Sequence, residues 1–294
     1  MKRRRFLRIA GAAGLVAASP ARAFRLEPVE WRGVALGAPA RMIIQHEDRA
    51  EAIRLVDSCA VEIARLESIF SLYRADSALV RLNRAGHLSV PPLDLVALMA
   101  AADTAWRDSG GAFDATVQPL WTLYAGHFRR PGADPMGPPR AALDAALDTV
   151  GWQHVRFDAQ SIRFTRPGMA LTFNGIAQGY VTDRIAALLQ SAGMRNVLVD
   201  MGEIAANGPH ADGTAWRVGL PDGSGCDLRH GGLAVSSADG TRFSPHVHHI
   251  FDPRTGRSPA PPGAWTMVRA ASAADADARS TARLAGWDGG GFRR

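Results

Sequence analysis

Asp277 and Thr281 stand four residues apart in a stretch with helical spacing, so a carboxylate and a hydroxyl share one face. Oxygen donors of this kind suit Mg2+, which keeps several waters and leans on substrate phosphates. The competing reading is a solvated face of i,i+4 pairs, because Asp275 and Arg279 have the same spacing. A second candidate is Asn174-Gly175-Ile176-Ala177-Gln178-Gly179, where a strand over 169–173 is expected to enter a helix capped by Asn174. The first N–H groups of such a helix are unpaired and partly positive, and glycines let a phosphate come close to the backbone. A purely structural strand-turn-helix would use the same glycines. His248-His249-Ile250-Phe251-Asp252-Pro253 brings an imidazole and a carboxylate together, as a general base or a phosphate contact requires. Neither histidine has partners at zinc spacing, so zinc is set aside. Ser109-Gly110-Gly111-Ala112-Phe113-Asp114 reads as a helix stop followed by an acid, and by itself a C-cap is the commoner role.

These residues need a scaffold. Two strands are expected over 29–36 and 41–46 around a turn at Gly37-Ala38-Pro39, then a long core helix over 51–70 with Ile53, Val56, Cys59, Ile63 and Leu66 at helical spacing. Pro91-Pro92 opens a second helix through Trp106. Residues 129–139, rich in Pro and Gly, read as a surface loop. A short helix over 140–150 precedes strands at 155–157, 162–164 and 169–173. Further strands are expected at 196–200, 202–204, 216–220, 226–229 and 232–236, one ending through 247–251, one at 265–270, and a helix from Ser272. Helices and strands alternate without strict βαβ order, which argues for α+β.

Composition removes several function classes. Lys2-Arg3-Arg4-Arg5-Phe6-Leu7-Arg8, the apolar run 9–18 and Ala21-Arg22-Ala23 read as a twin-arginine export signal over 1–23, implying a periplasmic protein. That apolar run is too short to span a bilayer, so no stable membrane insertion is expected. The chain of 294 residues has a net charge of +6. Removing the six basic residues of the leader from the total of 34 leaves 28, equal to the 28 acidic residues. The basic excess belongs to the leader, and a nucleic-acid role loses its support. Lys2 is the only lysine, so no amine nucleophile exists downstream. Cys59 and Cys226 lack metal spacing, and Cys59 reads as a packed thiol.

Five blocks recur in order: Phe70-Ser71-Leu72-Tyr73 through Ser77 to Leu82-Asn83; Ser109-Gly110-Gly111-Ala112-Phe113-Asp114 with Thr116-Val117 and Pro119-Leu120; Gly175-Ile176-Ala177-Gln178-Gly179-Tyr180 with Asp183; His249-Ile250-Phe251-Asp252-Pro253-Arg254-Thr255-Gly256; and Ala276-Asp277-Ala278 with Thr281-Ala282. Together they resemble the ApbE family of FAD:protein FMN transferases, over nearly all of the chain from Leu36. The resemblance implies one domain over 24–294 with a T-fold-like α+β architecture of mixed sheets and helices. FAD would lie in a cleft between its two halves, with Mg2+ on the pyrophosphate. It implies attack by a Thr or Ser hydroxyl of an exported redox protein on the FMN phosphorus, with AMP leaving. Carried over by position, Gly175 gives a backbone carbonyl to the metal, and Asp277, expected at a partly exposed position, and Thr281 give side-chain ligands. Leu36, Phe70, Ser71, Asp114 and Gln178 would line the flavin nucleotide site. His249 and Asp252 would be the catalytic pair, His249 assisting deprotonation of the hydroxyl. The alternatives are a Mg2+-dependent FAD pyrophosphatase releasing FMN and AMP, and a non-catalytic flavin-binding protein.

The chain departs from the family pattern in places. Gln178 stands where many members carry Lys, Asp200-Met201-Gly202-Glu203 is one residue shorter than the usual run, and Ser236-Ser237-Ala238 replaces Thr-Ser-Gly. The polar, glycine-rich stretch from Arg283 to Arg294 is expected to be an altered or truncated end.

Overall fold

The computed structural model describes residues 26–289, so the expected export signal and its cleavage site lie outside the described residues. Strands β1 (Val29–Ala35) and β2 (Ala38–Ile44) form a hairpin. Its turn is Leu36-Gly37 rather than Gly37-Ala38-Pro39: Ala35 pairs with Ala38, and Leu36 and Gly37 have φ of 49° and 78°. Two positive φ values are what a two-residue hairpin turn demands, and glycine supplies only one of them without strain. The Leu36 N–H is held by Glu67 Oε1 at 2.6 Å.

Glu67 belongs to α1 (Arg49–Phe70), whose buried residues Ala52, Val56, Cys59, Ile63, Leu66 and Phe70 recur at the helical period. Asp48 starts it by accepting the Glu51 N–H at 2.9 Å. Next come α2 (Ala78–Ala85), β3 (His87–Ser89) and α3 (Leu93–Asp108). Neither α2 nor β3 is expected from periodicity, because each is too short to show one. The start of α2 is nonetheless marked by Ser77, whose hydroxyl accepts the Val80 N–H. Helices α4 (Gln118–Phe128) and α5 (Arg140–Leu147) flank the 129–139 loop, and β4 (Val155–Phe157) and β5 (Ser161–Phe164) complete a three-stranded sheet with β3.

The stretch 169–173 is not a strand. Leu171 and Phe173 are buried, but their backbone is held by a side chain: Asn83 donates Nδ2–H to the Leu171 carbonyl and accepts the Leu171 N–H, both at 2.8 Å. An amide that satisfies both polar groups replaces a ladder partner. Helix α6 (Ala177–Ser191) follows, with Ile176 and not Asn174 at its N-cap and no side-chain cap.

The chain then builds β6 (Val197–Asp200), β7 (Ile204–Asn207), β8 (Trp216–Gly219), β9 (Gly225–Leu228), β10 (His230–Ser237) and β11 (Trp265–Ala270), and ends its regular structure with α7 (Ala273–Leu284). The main sheet has the order β1-β2-β6-β7-β10-β11 with every pair antiparallel. Alternation along its strands serves two cores. Met42, Ile44, Val197 and Val199 face α1 and α6, whereas Ile43, Leu198 and Ile204 face Trp216, Val218 and Leu228 of the β8–β9 hairpin. The expected strand through 247–251 reduces to one bridge, Arg242 with His248, because turn hydrogen bonds hold this stretch instead. Cys59 is a free, fully buried thiol whose pKa burial pushes up to about 12. Among the described residues no helix is long and apolar enough to cross a membrane.

Candidate active site

Helices α6 and α7 meet at closer range than ordinary side-chain packing allows. A Cβ on Gly179 would lie 2.4 Å from the Ala273 carbonyl oxygen, and a Cβ on Gly175 would lie 2.8 Å from Thr281 Oγ1. Two glycines at the start of α6 therefore let α7 lie against its backbone. The Gly179 N–H donates to Asp277 Oδ2 at 3.2 Å, so a carboxylate sits where the helix end is positive. Asp183, one turn further along α6, accepts the Ala273 and Ala274 N–H groups at 2.7 and 2.9 Å and caps α7 from outside. Burial raises the Asp183 pKa, and those two N–H donors oppose the rise.

The junction brings Gly175, Asp277 and Thr281 together. Asp277 is 2% exposed, which corrects the expectation of a partly exposed ligand: the small residues flanking it on α7 let the helix pack face-on. Asp275 and Arg279 form the expected surface pair at 2.6 Å. One helix thus carries both readings of the i,i+4 pattern, and burial separates them. A backbone carbonyl at Gly175, the Asp277 carboxylate and the Thr281 hydroxyl are hard oxygen donors, and this donor set fits Mg2+.

Of the other predicted residues, Gln178 lies on α6 itself and Phe70 meets α6 through Tyr180, whereas the contacts of Leu36, Ser71 and Asp114 are with other elements. Gln178 is buried, with Nε2 3.4 Å from the Met201 carbonyl and its amide against Gly202. Gly202 has a φ of 108°, and Asp200 Oδ1 accepts its N–H; burial raises the Asp200 pKa to about 6. Phe70 is buried and meets the Tyr180 ring edge-on at 5.5 Å, and the Tyr180 hydroxyl donates to Asp94 at 2.8 Å. Ser71 ends α1, its Oγ accepting the Tyr73 and Arg74 N–H groups. Leu36 occupies the strained hairpin turn. Asp114 is buried and accepts from Thr116 N–H, Thr116 Oγ1 and Trp152 N–H at 2.8, 2.6 and 3.0 Å. Burial is the main reason that its pKa is raised, and its observed bonds are those of a turn closure.

His249 and Asp252 stand on a separate loop. Asp252 Oδ1 accepts the Arg254 N–H and Nε–H at 2.9 and 2.8 Å, and Oδ2 faces Nη2 at 3.1 Å, so this carboxylate shapes the turn. His249 Nδ1 lies 3.1 Å from the Thr241 carbonyl and 3.2 Å from its N–H. His248, the more deeply buried neighbour, has its pKa lowered chiefly by that burial. Ile250 packs with Leu284 and Ala285, which anchors the loop to the C-terminal end of α7.

Sequence reasoning assigned no role to Asp183, Ser236 or Ser280. Asp183 had a signal, since it lies four residues after Gly179 on the same helix face. The serines had none, because nothing in one strand reveals which helix face will cover it.

The family described as the ApbE family matches residues 36–286. An FAD:protein FMN transferase of Salmonella typhimurium is 27% identical over 281 residues, covering 88% of this chain and 76% of the relative. The flavin transferase ApbE from Vibrio cholerae superposes with a TM-score of 0.73 at 27% identity, covering 88% of this chain and 87% of that one. The ApbE protein of Thermotoga maritima gives 0.76 at 25% identity, with 88% and 87% covered.

Proposed function

The chain belongs to the ApbE family, and from that premise we propose that it is a Mg2+-dependent FAD:protein FMN transferase exported by its twin-arginine leader. The observation that carries the reading is the junction itself: Gly175 against Thr281, and Gly179 N–H on Asp277, join two sequence-distant donor groups at one helix N-terminus. Gly175, Asp277 and Thr281 would hold the metal. Bound there, Mg2+ supplies charge neutralisation on a pyrophosphate and alignment of the attacking and leaving oxygens.

The chain's own residues do the rest. In this reading Phe70, fixed edge-on by Tyr180, offers an apolar wall to the flavin half, while Leu36, Ser71 and Gln178 line the nucleotide. The acceptor hydroxyl oxygen attacks the FMN phosphorus, the bond from that phosphorus to the AMP phosphate oxygen breaks, and AMP departs. The hydroxyl proton goes to His249. His249 Nδ1 faces both the Thr241 N–H and the Thr241 carbonyl, and the base role requires the tautomer that donates Nδ1–H to that carbonyl, leaving the lone pair on Nε2. With no lysine after Lys2, no lysine amine of this chain competes with the acceptor hydroxyl as nucleophile.

Incubation with FAD, Mg2+ and an exported flavoprotein lacking its flavin tests the reading by mass spectrometry. An acceptor gaining the mass of FMN by phosphoester at a Thr or Ser supports it. Free FMN and AMP without acceptor modification would make the protein a pyrophosphatase, and intact bound FAD would make it a flavin-binding protein.

A further inference from the structure

Ser236, near the end of β10, faces α7 across a chain of hydroxyl groups. Its Oγ lies 2.7 Å from Ser280 Oγ and 3.5 Å from Thr281 Oγ1, and Ser280 is fully buried. Ser280 Oγ lies 3.0 Å from the Asp277 carbonyl oxygen. The directions in this chain follow from counting protons. A carbonyl can only accept, so the single Ser280 hydroxyl proton points at Asp277 O. The 2.7 Å contact then needs its proton from Ser236, whose own proton is thereby spent. Ser236 Oγ is left facing Thr281 as an acceptor, and the Thr281 proton turns toward the sheet. Thr281 Oγ1 consequently turns lone-pair density to the side where Gly175 stands, 2.8 Å from where a Cβ there would be. A hydroxyl serves a cation only in that orientation, with its proton directed away.

We infer that Ser236 is a positioning residue for the metal site: through Ser280 and Thr281 it sets the proton direction that makes Thr281 Oγ1 a ligand. The inference rests on the metal site proposed above. It also gives a physical content to the sequence difference at this position, since Ser and Thr offer the same hydroxyl and Ala does not. Partners that orient a ligand typically change metal affinity by about 10–100-fold when removed.

The test is Mn2+ binding followed by electron paramagnetic resonance on the protein as exported, without FAD. For Ser236→Ala, the Mn2+ dissociation constant is expected to rise about tenfold, while Ser236→Thr stays within about twofold of the original. In the cycle with Thr281→Ala, the double variant is expected to bind no more weakly than Thr281→Ala alone, because Ser236 acts through Thr281. Unchanged Mn2+ affinity in Ser236→Ala would overturn the inference and leave the metal site standing. So would a Ser236→Thr as weak as the alanine variant, or additive losses in the cycle. Failure of the unmodified protein to bind Mn2+ would overturn this inference together with the metal site beneath it.

Discussion

The α6–α7 junction and the loop carrying His249 are built by opposite means. At the junction, two regular helices approach until only glycine fits, and a carboxylate on each helix accepts from N–H groups of the other. The loop from Ala238 to Ser258 has no regular element and is held by side chains closing on nearby backbone, such as Ser258 Oγ on the His248 carbonyl at 2.6 Å. The first arrangement cannot shift without breaking several contacts at once. The second can adjust one turn at a time. Rigid placement suits the cation and pyrophosphate proposed for the junction, and an adjustable base suits the proposed acceptor protein, which must enter and leave.

The strongest way to break this contrast is Gly179→Ala. Its Cβ would meet backbone atoms of Ala273 and Ala274 at 2.4–2.7 Å, none of which is the end of a flexible side chain. A loss of about 3 kcal/mol or more is expected, read as a fall in the midpoint of urea unfolding. Asp277→Ala comes next. It removes the proposed metal ligand and leaves the buried Gly179 N–H without its acceptor, a stability cost of about 1–3 kcal/mol. Mg2+-dependent turnover should fall to background in a sample whose circular dichroism remains native at 20 °C; retained turnover would take Asp277 out of the site. His249→Ala tests the loop, and transfer about 100-fold slower with FAD affinity unchanged is the expectation for a lost general base. A defect confined to FAD binding would assign His249 to the nucleotide instead.

Asp200→Asn tests the electrostatics beside α6, where Gly202 packs on Gln178. The folded pKa of Asp200 lies near 6, above its ordinary value, so the folded state holds the proton more tightly than the unfolded chain. Stability from this group is therefore present at acid pH and is lost as pH rises to about 6. The asparagine keeps an acceptor for Gly202 N–H without the charge. It should be more stable than the native chain by about 1 kcal/mol at pH 7.5 and no more stable at pH 4. The smallest effect is expected from Gly240→Ala in the loop. Its Cβ would sit 3.0 Å from His249 Cε1 and 3.3 Å from the Ser237 carbonyl oxygen, contacts that a shift of a few tenths of an ångström relieves, so a change under about 1 kcal/mol is expected. A Gly240→Ala loss as large as that of Gly179→Ala would remove the distinction between the two regions.

The legibility of the chain follows the same division. The spacing of Val56, Cys59, Ile63 and Leu66 predicted α1 within two residues of its start, and β4 and β11 agree at both ends, because periodicity reports a buried face directly. Segment 169–173 was misread as a strand because apolar residues are equally at home in any buried extended chain. Only Asn83, some ninety residues earlier, shows that a side chain replaces the ladder. The turn at Leu36-Gly37 escaped because leucine is not a residue that asks for positive φ. In the site, Gly175, Asp277 and Thr281 were named from sequence, but the burial of Asp277 was not, and neither was the engagement of Asp252 with Arg254.

The sequence by itself determined which groups are present: two hard oxygen donors on one helix face, glycines at the head of another helix, an imidazole in a turn, and no lysine beyond Lys2. Those are properties of residue type and local spacing, and local spacing survives folding. Tertiary structure decided which of them face each other. It put Gly179 under Ala273, Asp183 on the end of α7, and Ser236 beneath Ser280 and Thr281. Contacts between residues 44 to 98 positions apart arise from how two faces close on one another, and no pattern within either face records that closure.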